Sequence, residues 1–222
     1  MGRAKEIIVK VIPANIANDF VKKHHYSGKV VPNSTLHFGA FLDGKLHGVM
    51  SFGPSINKKG TVKLVNGTGW NEFIELNRMA FDDYLPRNSE SRCISIAIKL
   101  IKKNAPHIKW IISFADGCSC GDGTIYRASG FVLAEIRKND ALRINPETGE
   151  KVHTISAYHQ NNSEFKNWEK LVGYQLKYIY FIDKSKVKDL TVPIIPFSQI
   201  DEFGAGMYKG EKVTRQERHE AA

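Results

Sequence analysis

Asp116 stands at the end of an apolar run, Ser113-Phe114-Ala115-Asp116-Gly117, and the glycine-bracketed Gly123-Thr124-Ile125-Tyr126-Arg127-Ala128-Ser129-Gly130 follows within one short loop. An acid at a strand end can act as a base or hold an exocyclic amine, and it can equally cap the turn that follows. Tyr126 can give a proton to a leaving group, offer a ring on which a base stacks, or sit in the core with its hydroxyl satisfied. In Glu75-Leu76-Asn77-Arg78 polar groups fall on both faces of a predicted strand. There Glu75 can polarise a base or amine and Arg78 can pin a phosphate or carboxylate, or the two can form a buried ion pair. His25-Tyr26-Ser27-Gly28 ends a predicted helix with groups able to exchange protons, hydrogen-bond or admit a ligand. A His in that place also serves as a plain C-terminal cap.

Each of these residues needs an element to hold it. Lys109 to Phe114 is a continuous apolar and β-branched run of the kind a buried strand shows, which delivers Asp116 to the C-terminal edge, where α/β sheets place ligands. Upstream, Lys5 to Ile12 reads as a strand, and Pro13 opens a helix with Ile16, Ala17, Phe20 and Val21 on one face. Leu36 to Leu42 and Leu46 to Phe52 flank Asp43-Gly44 as a hairpin. Residues 55–71 read as an exposed connection to a strand over Glu72 to Phe81. After Pro86, Ile94, Ala97, Ile98 and Ile101 mark an amphipathic helix capped by Asn88 or Ser89, with first-turn amides free to meet an anion. A short helix around Tyr126 and a strand over Phe131 to Ile136 complete a β-α-β-β-β-α-β-α-β order. This order predicts an α/β (α+β) fold with a mixed, central twisted sheet and helices on both faces. Residues 1–138 form the expected core. Residues 139–222 form an extension packed on it, with a turn at Asn145 to Glu150, a further strand over Tyr178 to Ile182, and a loose tail from Pro193.

The chain has 222 residues, 42% of them apolar, and three Trp, which is enough for a core. Cys93, Cys118 and Cys120 are odd in number, and the Cys-x-Cys lacks the second pair of a zinc site, so no metal tetrad is predicted and a reducing cytoplasm is the expected compartment. No apolar run approaches the roughly 20 residues that span a bilayer, and no membrane partner is expected. The formal charge of +9 predicts a polyanionic partner, because Lys and Arg facing phosphates release counterions. Lys22, Lys23, Lys58 and Lys59 are the candidate DNA-binding residues in an excess spread along the chain.

Five blocks in order, His25-Tyr26-Ser27, Glu75-Leu76-Asn77-Arg78, Asn88-Ser89-Glu90-Ser91, Ser113-Phe114-Ala115-Asp116 and Gly123-Thr124-Ile125-Tyr126-Arg127-Ala128, resemble the motifs of the Mom family of bacteriophage DNA-modification proteins. The resemblance covers roughly residues 20–135. It implies a divergent Gcn5-related N-acetyltransferase fold, and an activity that converts adenine in double-stranded DNA to N6-carbamoylmethyl adenine and so shields phage DNA from host restriction. It also implies His25, Tyr26, Glu75, Arg78, Ser91, Asp116 and Tyr126 as the functional set, with Asn88, Ser89 and Ser91 beside any cofactor. The fold admits acetyl-coenzyme A, whereas Arg87-Asn88-Ser89-Glu90-Ser91 lacks the glycines of an acetyltransferase pyrophosphate loop and carries an acid where a phosphate would approach. The sequence names no donor. Two other readings stand beside this one: a conventional N-acetyltransferase of a small amine or protein, and a basic DNA-binding protein without chemistry.

Overall fold

The computed structural model describes residues 3–159, 164–214, 216 and 217. Strand β1 (Ile8–Val11) leads through Pro13, whose φ of −61° suits a helix start, into α1 (Ala14–His24). A hairpin follows, β2 (Leu36–Leu42) and β3 (Lys45–Gly53), turned by Asp43 and Gly44 at φ of 51° and 75°. That mirror-image turn matches the right-handed twist of the strands. Next come β4 (Phe73–Phe81), α3 (Ser89–Asn104), β5 (Trp110–Gly117) and α4 (Thr124–Ala128). The rest of the chain supplies β6 (Val132–Ile144), β7 (Lys151–His153), α5 (Thr154–His159), β8 (Glu169–Phe181) and α6 (Gln199–Glu202). The result is the mixed α/β architecture the sequence predicts: an eight-stranded sheet in the order β1-β2-β3-β4-β5-β8-β6-β7, with β4 and β5 parallel. Ala17 and Val21 of α1 pack on Val49 and Ala80. Met50 and Phe52, on the other face of β3, are also fully buried, so this strand is covered on both sides.

By their internal contacts the residues form two compact units that interleave in sequence. One comprises Met1–Phe114, Thr124–Val132 and Tyr178–Ile194, and the other Ala115–Gly123, Leu133–Lys177 and Ile195–Ala222. Strands β5, β6 and β8 each cross a unit boundary, which local sequence pattern does not reveal. Two elements differ from those predicted. Segment 55–71 is not a bare connection: Asn57 caps α2 (Lys58–Thr61) by accepting the Gly60 N–H, and buried Thr61 and Val65 anchor the segment inward. Strands β6 and β8 run well beyond their predicted apolar stretches as sheet neighbours, and their charged extensions pair as Lys177–Glu135 and Lys170–Asp140, each at 2.6 Å. The residues after Pro193 include buried Ile200, Ala205 and Met207, and the Met207 carbonyl accepts the Asp122 N–H. Among the described residues no helix is long and apolar enough to cross a membrane.

Candidate active site

Strand β4 loses its regular partners at Asn77. On one side Leu76 pairs with Phe52 and Arg78 with Ser51, so Asn77 is the extra residue of a β-bulge. On the other side the parallel ladder to β5 ends at the Leu76–Ser113 pair, and the Ser113 hydroxyl donates to the Leu76 carbonyl at 3.1 Å. A bulge bends its strand and re-aims the side chains beside it, which makes it a common device at functional sites.

Two polar side chains are buried at this point. Glu75 is 9% exposed and Asn77 7%. The Glu75 carboxylate takes a hydrogen bond from Ser55, is approached by the Asn77 amide and feels the Arg78 charge, all of which favour ionisation. Burial is the larger influence and raises its pKa above the usual glutamate value. Ser55 lies 3.0 Å from the Thr61 hydroxyl, so α2 is tied to the carboxylate through it. The Asn77 Oδ1 accepts the Ser34 hydroxyl at 3.1 Å, while its buried Nδ2 makes no well-formed hydrogen bond and only approaches Glu75. Gly53 makes this possible, because a Cβ there would collide with the Asn33 carbonyl and the Asn77 Oδ1.

Arg78 joins this pair to the loop that closes α1. Its Nε donates to the Lys29 carbonyl at 2.9 Å and its Nη1 to the Asn77 carbonyl at 3.0 Å. The loop reverses at Gly28, φ 60°, whose N–H returns to the His25 carbonyl. Within it the His25 Nδ1 accepts the Ser27 N–H at 3.1 Å and lies 2.8 Å from the Ser27 hydroxyl. A backbone N–H can only donate, so Nδ1 is unprotonated and the neutral ring carries its hydrogen on Nε2. Burial, helped by the Arg78 charge, pushes the His25 pKa down to about 4. His25 is therefore a neutral donor at ordinary pH and a poor base. Tyr26 is half exposed, with its ring centroid 4.3 Å from that of His25.

The structure thus connects Glu75, Arg78, His25 and Tyr26 within one unit. Tyr126 belongs to the same unit, 9% exposed, with its ring packed on Phe131 at 5.4 Å and Tyr178 at 5.3 Å. Asp116 lies in the other unit, half-buried, and its Oδ1 accepts the Cys118 N–H at 2.9 Å while its carbonyl accepts those of Cys120 and Gly121. That is the geometry of an Asx cap. Burial and the Asp116 charge push the Cys118 thiol up to about 11 and raise that of Cys120. Ser89 is fully buried and donates to the Pro86 carbonyl, Ser91 donates to the Asn88 carbonyl, and Asn88 is exposed at φ 69°. With these hydroxyls turned onto the backbone and Glu90 in the first turn of α3, the loop does not fit a pyrophosphate. Lys22 pairs with Asp19 at 3.7 Å, and Lys23 and Lys59 are exposed. Lys58 lies 4.6 Å over the Trp70 ring. Sequence reasoning missed Ser34, Ser55 and Thr61, which no local pattern marks; Asn77 was legible only as part of its block.

The chain resembles solved acetyltransferase chains, including an IAA acetyltransferase of Bacillus cereus (12% identity, 79% of this chain and 99% of that one, TM-score 0.47) and a polyamine N-acetyltransferase of Drosophila melanogaster (9% identity, 79% and 100%, TM-score 0.48). It is 32% identical over 198 residues to methylcarbamoylase mom of Escherichia phage Mu, spanning 86% of this chain and 82% of that protein. The Mom protein family matches residues 6–199, which with that identity makes this chain a member of the Mom protein family.

Proposed function

We propose that this protein is a transferase that converts adenine in double-stranded DNA to N6-carbamoylmethyl adenine, with Glu75 as general base. The family match over residues 6–199 carries the reading, and the buried carboxylate beside the β4 bulge supports it. The N6 amine is a weak nucleophile because its lone pair is delocalised into the ring, so a positioned base must take a proton as the new bond forms. Burial makes Glu75 a stronger base than an exposed glutamate, and Ser55 and Asn77 fix its orientation. In the step, the N6 lone pair attacks the methylene carbon of a carbamoylmethyl donor, the bond from that carbon to its leaving group breaks, and the leaving group departs with the electron pair. The N6 proton passes to Glu75. The His25 Nε2–H, neutral and held by Ser27, is suited to donate to the carboxamide oxygen of the donor, and Arg78 holds the His25 loop against Asn77.

Adenine N6 lies inside the stacked duplex, so the base must leave the stack, and half-exposed Tyr26 is the aromatic proposed to stack on it. Lys22, Lys23, Lys58 and Lys59 compensate part of that cost through phosphates. Modified DNA would then be a poor substrate for restriction enzymes that read the adenine edge. Mass spectrometry of nucleosides from the DNA of cells expressing the protein tests the reading. The expected product is deoxyadenosine heavier by one carbamoylmethyl group, lost in Glu75→Gln. An unchanged nucleoside profile overturns it, and an N-acetylated small amine or protein in its place would mark a conventional acetyltransferase.

A further inference from the structure

Segment 55–71 carries a large aromatic that the chemistry above does not use. Trp70 is 50% exposed, whereas Trp110 is fully buried and Trp168 is 9% exposed. Its ring is held: the Lys58 Nζ sits over it at 4.6 Å, donates to the Asn71 Oδ1 at 3.3 Å, and lies 6.0 Å from the Phe73 ring centroid. Phe73 stacks on Trp110 at 4.6 Å, and the Trp110 Nε1 donates to the Thr68 hydroxyl at 3.1 Å, which pins the loop that bears Trp70. The same segment is tied to the buried carboxylate, since Thr61 meets Ser55 and Ser55 donates to Glu75. Phe73 and Glu75 are two apart on β4 and share a strand face. Exposed Lys59 and Lys63 stand on this segment, and water covers half of an indole that could instead be buried against a partner.

We propose that Trp70 is a DNA contact that stacks on the bases next to the target adenine, with Lys59 and Lys63 on the flanking phosphates. The inference rests on the DNA-modification reading. Flipping a base opens a gap in the stack and costs a few kcal/mol, and an aromatic or apolar side chain set against the gap recovers part of that loss. An indole stacks on any base, and adjacent positive charge suits a polyanion while opposing most protein surfaces. A cation already over one face of the ring fixes its orientation before DNA arrives and lowers the cost of ordering it on binding.

Trp70 is the exposed tryptophan of the three, so its emission reports the contact without reference to catalysis. The wild-type protein is titrated with a fluorescein-labelled duplex oligonucleotide at low salt, reading anisotropy for binding, and with the unlabelled duplex, reading tryptophan emission and acrylamide access. DNA should quench the emission and shield it from acrylamide, and Trp70→Phe should abolish both changes while binding DNA within about twofold. Trp70→Ala should modify DNA about 5- to 150-fold more slowly, the range set by loss of one base–aromatic stack. Anisotropy-detected binding without any change in emission, or a Trp70→Ala protein that modifies at the wild-type rate, overturns the proposal. Absence of binding by the wild-type protein overturns the DNA reading itself, and this contact with it.

Discussion

Replacing Glu75 by Gln separates a working base from a structural carboxylate, because the two roles predict opposite signs for stability. Gln keeps the volume and an oxygen to accept the Ser55 hydroxyl, and loses the charge and the basicity. Desolvation raises the folded-state pKa of Glu75 above its unfolded value of 4.5. A group shifted upward contributes stability that is fully present below the unfolded pKa and is lost as pH rises through the folded one. At neutral pH the wild-type protein bears that cost and the Gln variant does not, so Glu75→Gln should melt at the same or a higher temperature. Modification, assayed by nucleoside mass spectrometry, should fall about 100- to 10,000-fold, the usual contribution of a positioned base. Glu75→Ala gives the contrast, since it removes the carboxylate that the Ser55 hydroxyl faces, at a cost of about 1–3 kcal/mol for a buried hydrogen bond left unmade. Two results refute the reasoning. A Gln variant that modifies DNA within about tenfold of wild type removes Glu75 from the chemistry. A Gln variant destabilised by about 3–5 kcal/mol shows that the carboxylate is half of a buried ion pair with Arg78.

His25, held neutral with its pKa near 4 against 6.5 in the unfolded chain, should make the protein lose stability as pH falls from 6.5 towards 4, and His25→Gln should flatten that slope in thermal melts taken across the window. The same shift predicts a pH–rate profile with no inflection near 6.5 from this residue, and an inflection there that disappears in His25→Gln would contradict it. Gly53→Ala must push a Cβ into the Asn33 carbonyl and Asn77, so it should cost about 1–3 kcal/mol in chemical denaturation and slow modification more than a surface substitution of equal stability cost. Asp116→Asn keeps an Oδ1 for the Cys118 N–H and removes the charge, so melting temperature and modification should change little. The Cys118 thiol should ionise at lower pH than its present value of about 11, read from the pH dependence of alkylation.

The parts of this protein legible from its sequence are those set by short-range pattern. Asp43-Gly44 fixes the β2–β3 hairpin because two successive residues of positive φ suit that turn, and Pro13 with Ala17 and Val21 fixes α1. Charged strand extensions are a different case. Glu135, Asp140, Lys170 and Lys177 carry no apolar signal, and the opposite charges that pair between these strands stand 30 to 42 positions apart in the sequence. For the site, residue types were legible and environments were not. Asp116 ends an apolar run and Glu75 interrupts one, and residue type alone does not tell that the first will accept an N–H from the next turn and the second will be sealed in.

That difference is the ground on which Glu75 is proposed as the base. Asp116 is followed by Gly117 and Cys118, whose backbone folds back so that its Oδ1 accepts a local N–H. Glu75 lies in mid-strand, where the ladder occupies the neighbouring amides, and its partners come from Ser55, twenty positions earlier, and from the bulge residue Asn77. A carboxylate supported by side-chain donors inside the protein is raised by burial and keeps an appetite for a proton. The bulge adds Asn77 to β4 just where β5 ends its pairing, and the Asn77 side-chain Nδ2 lies there buried without a well-formed bond beside the carboxylate. A buried orphan donor costs roughly 1–3 kcal/mol and persists only where the surrounding structure holds it. Ser34 supplies part of that restraint through the Asn77 Oδ1, and Gly53 leaves room for it, since a Cβ there would collide with that oxygen.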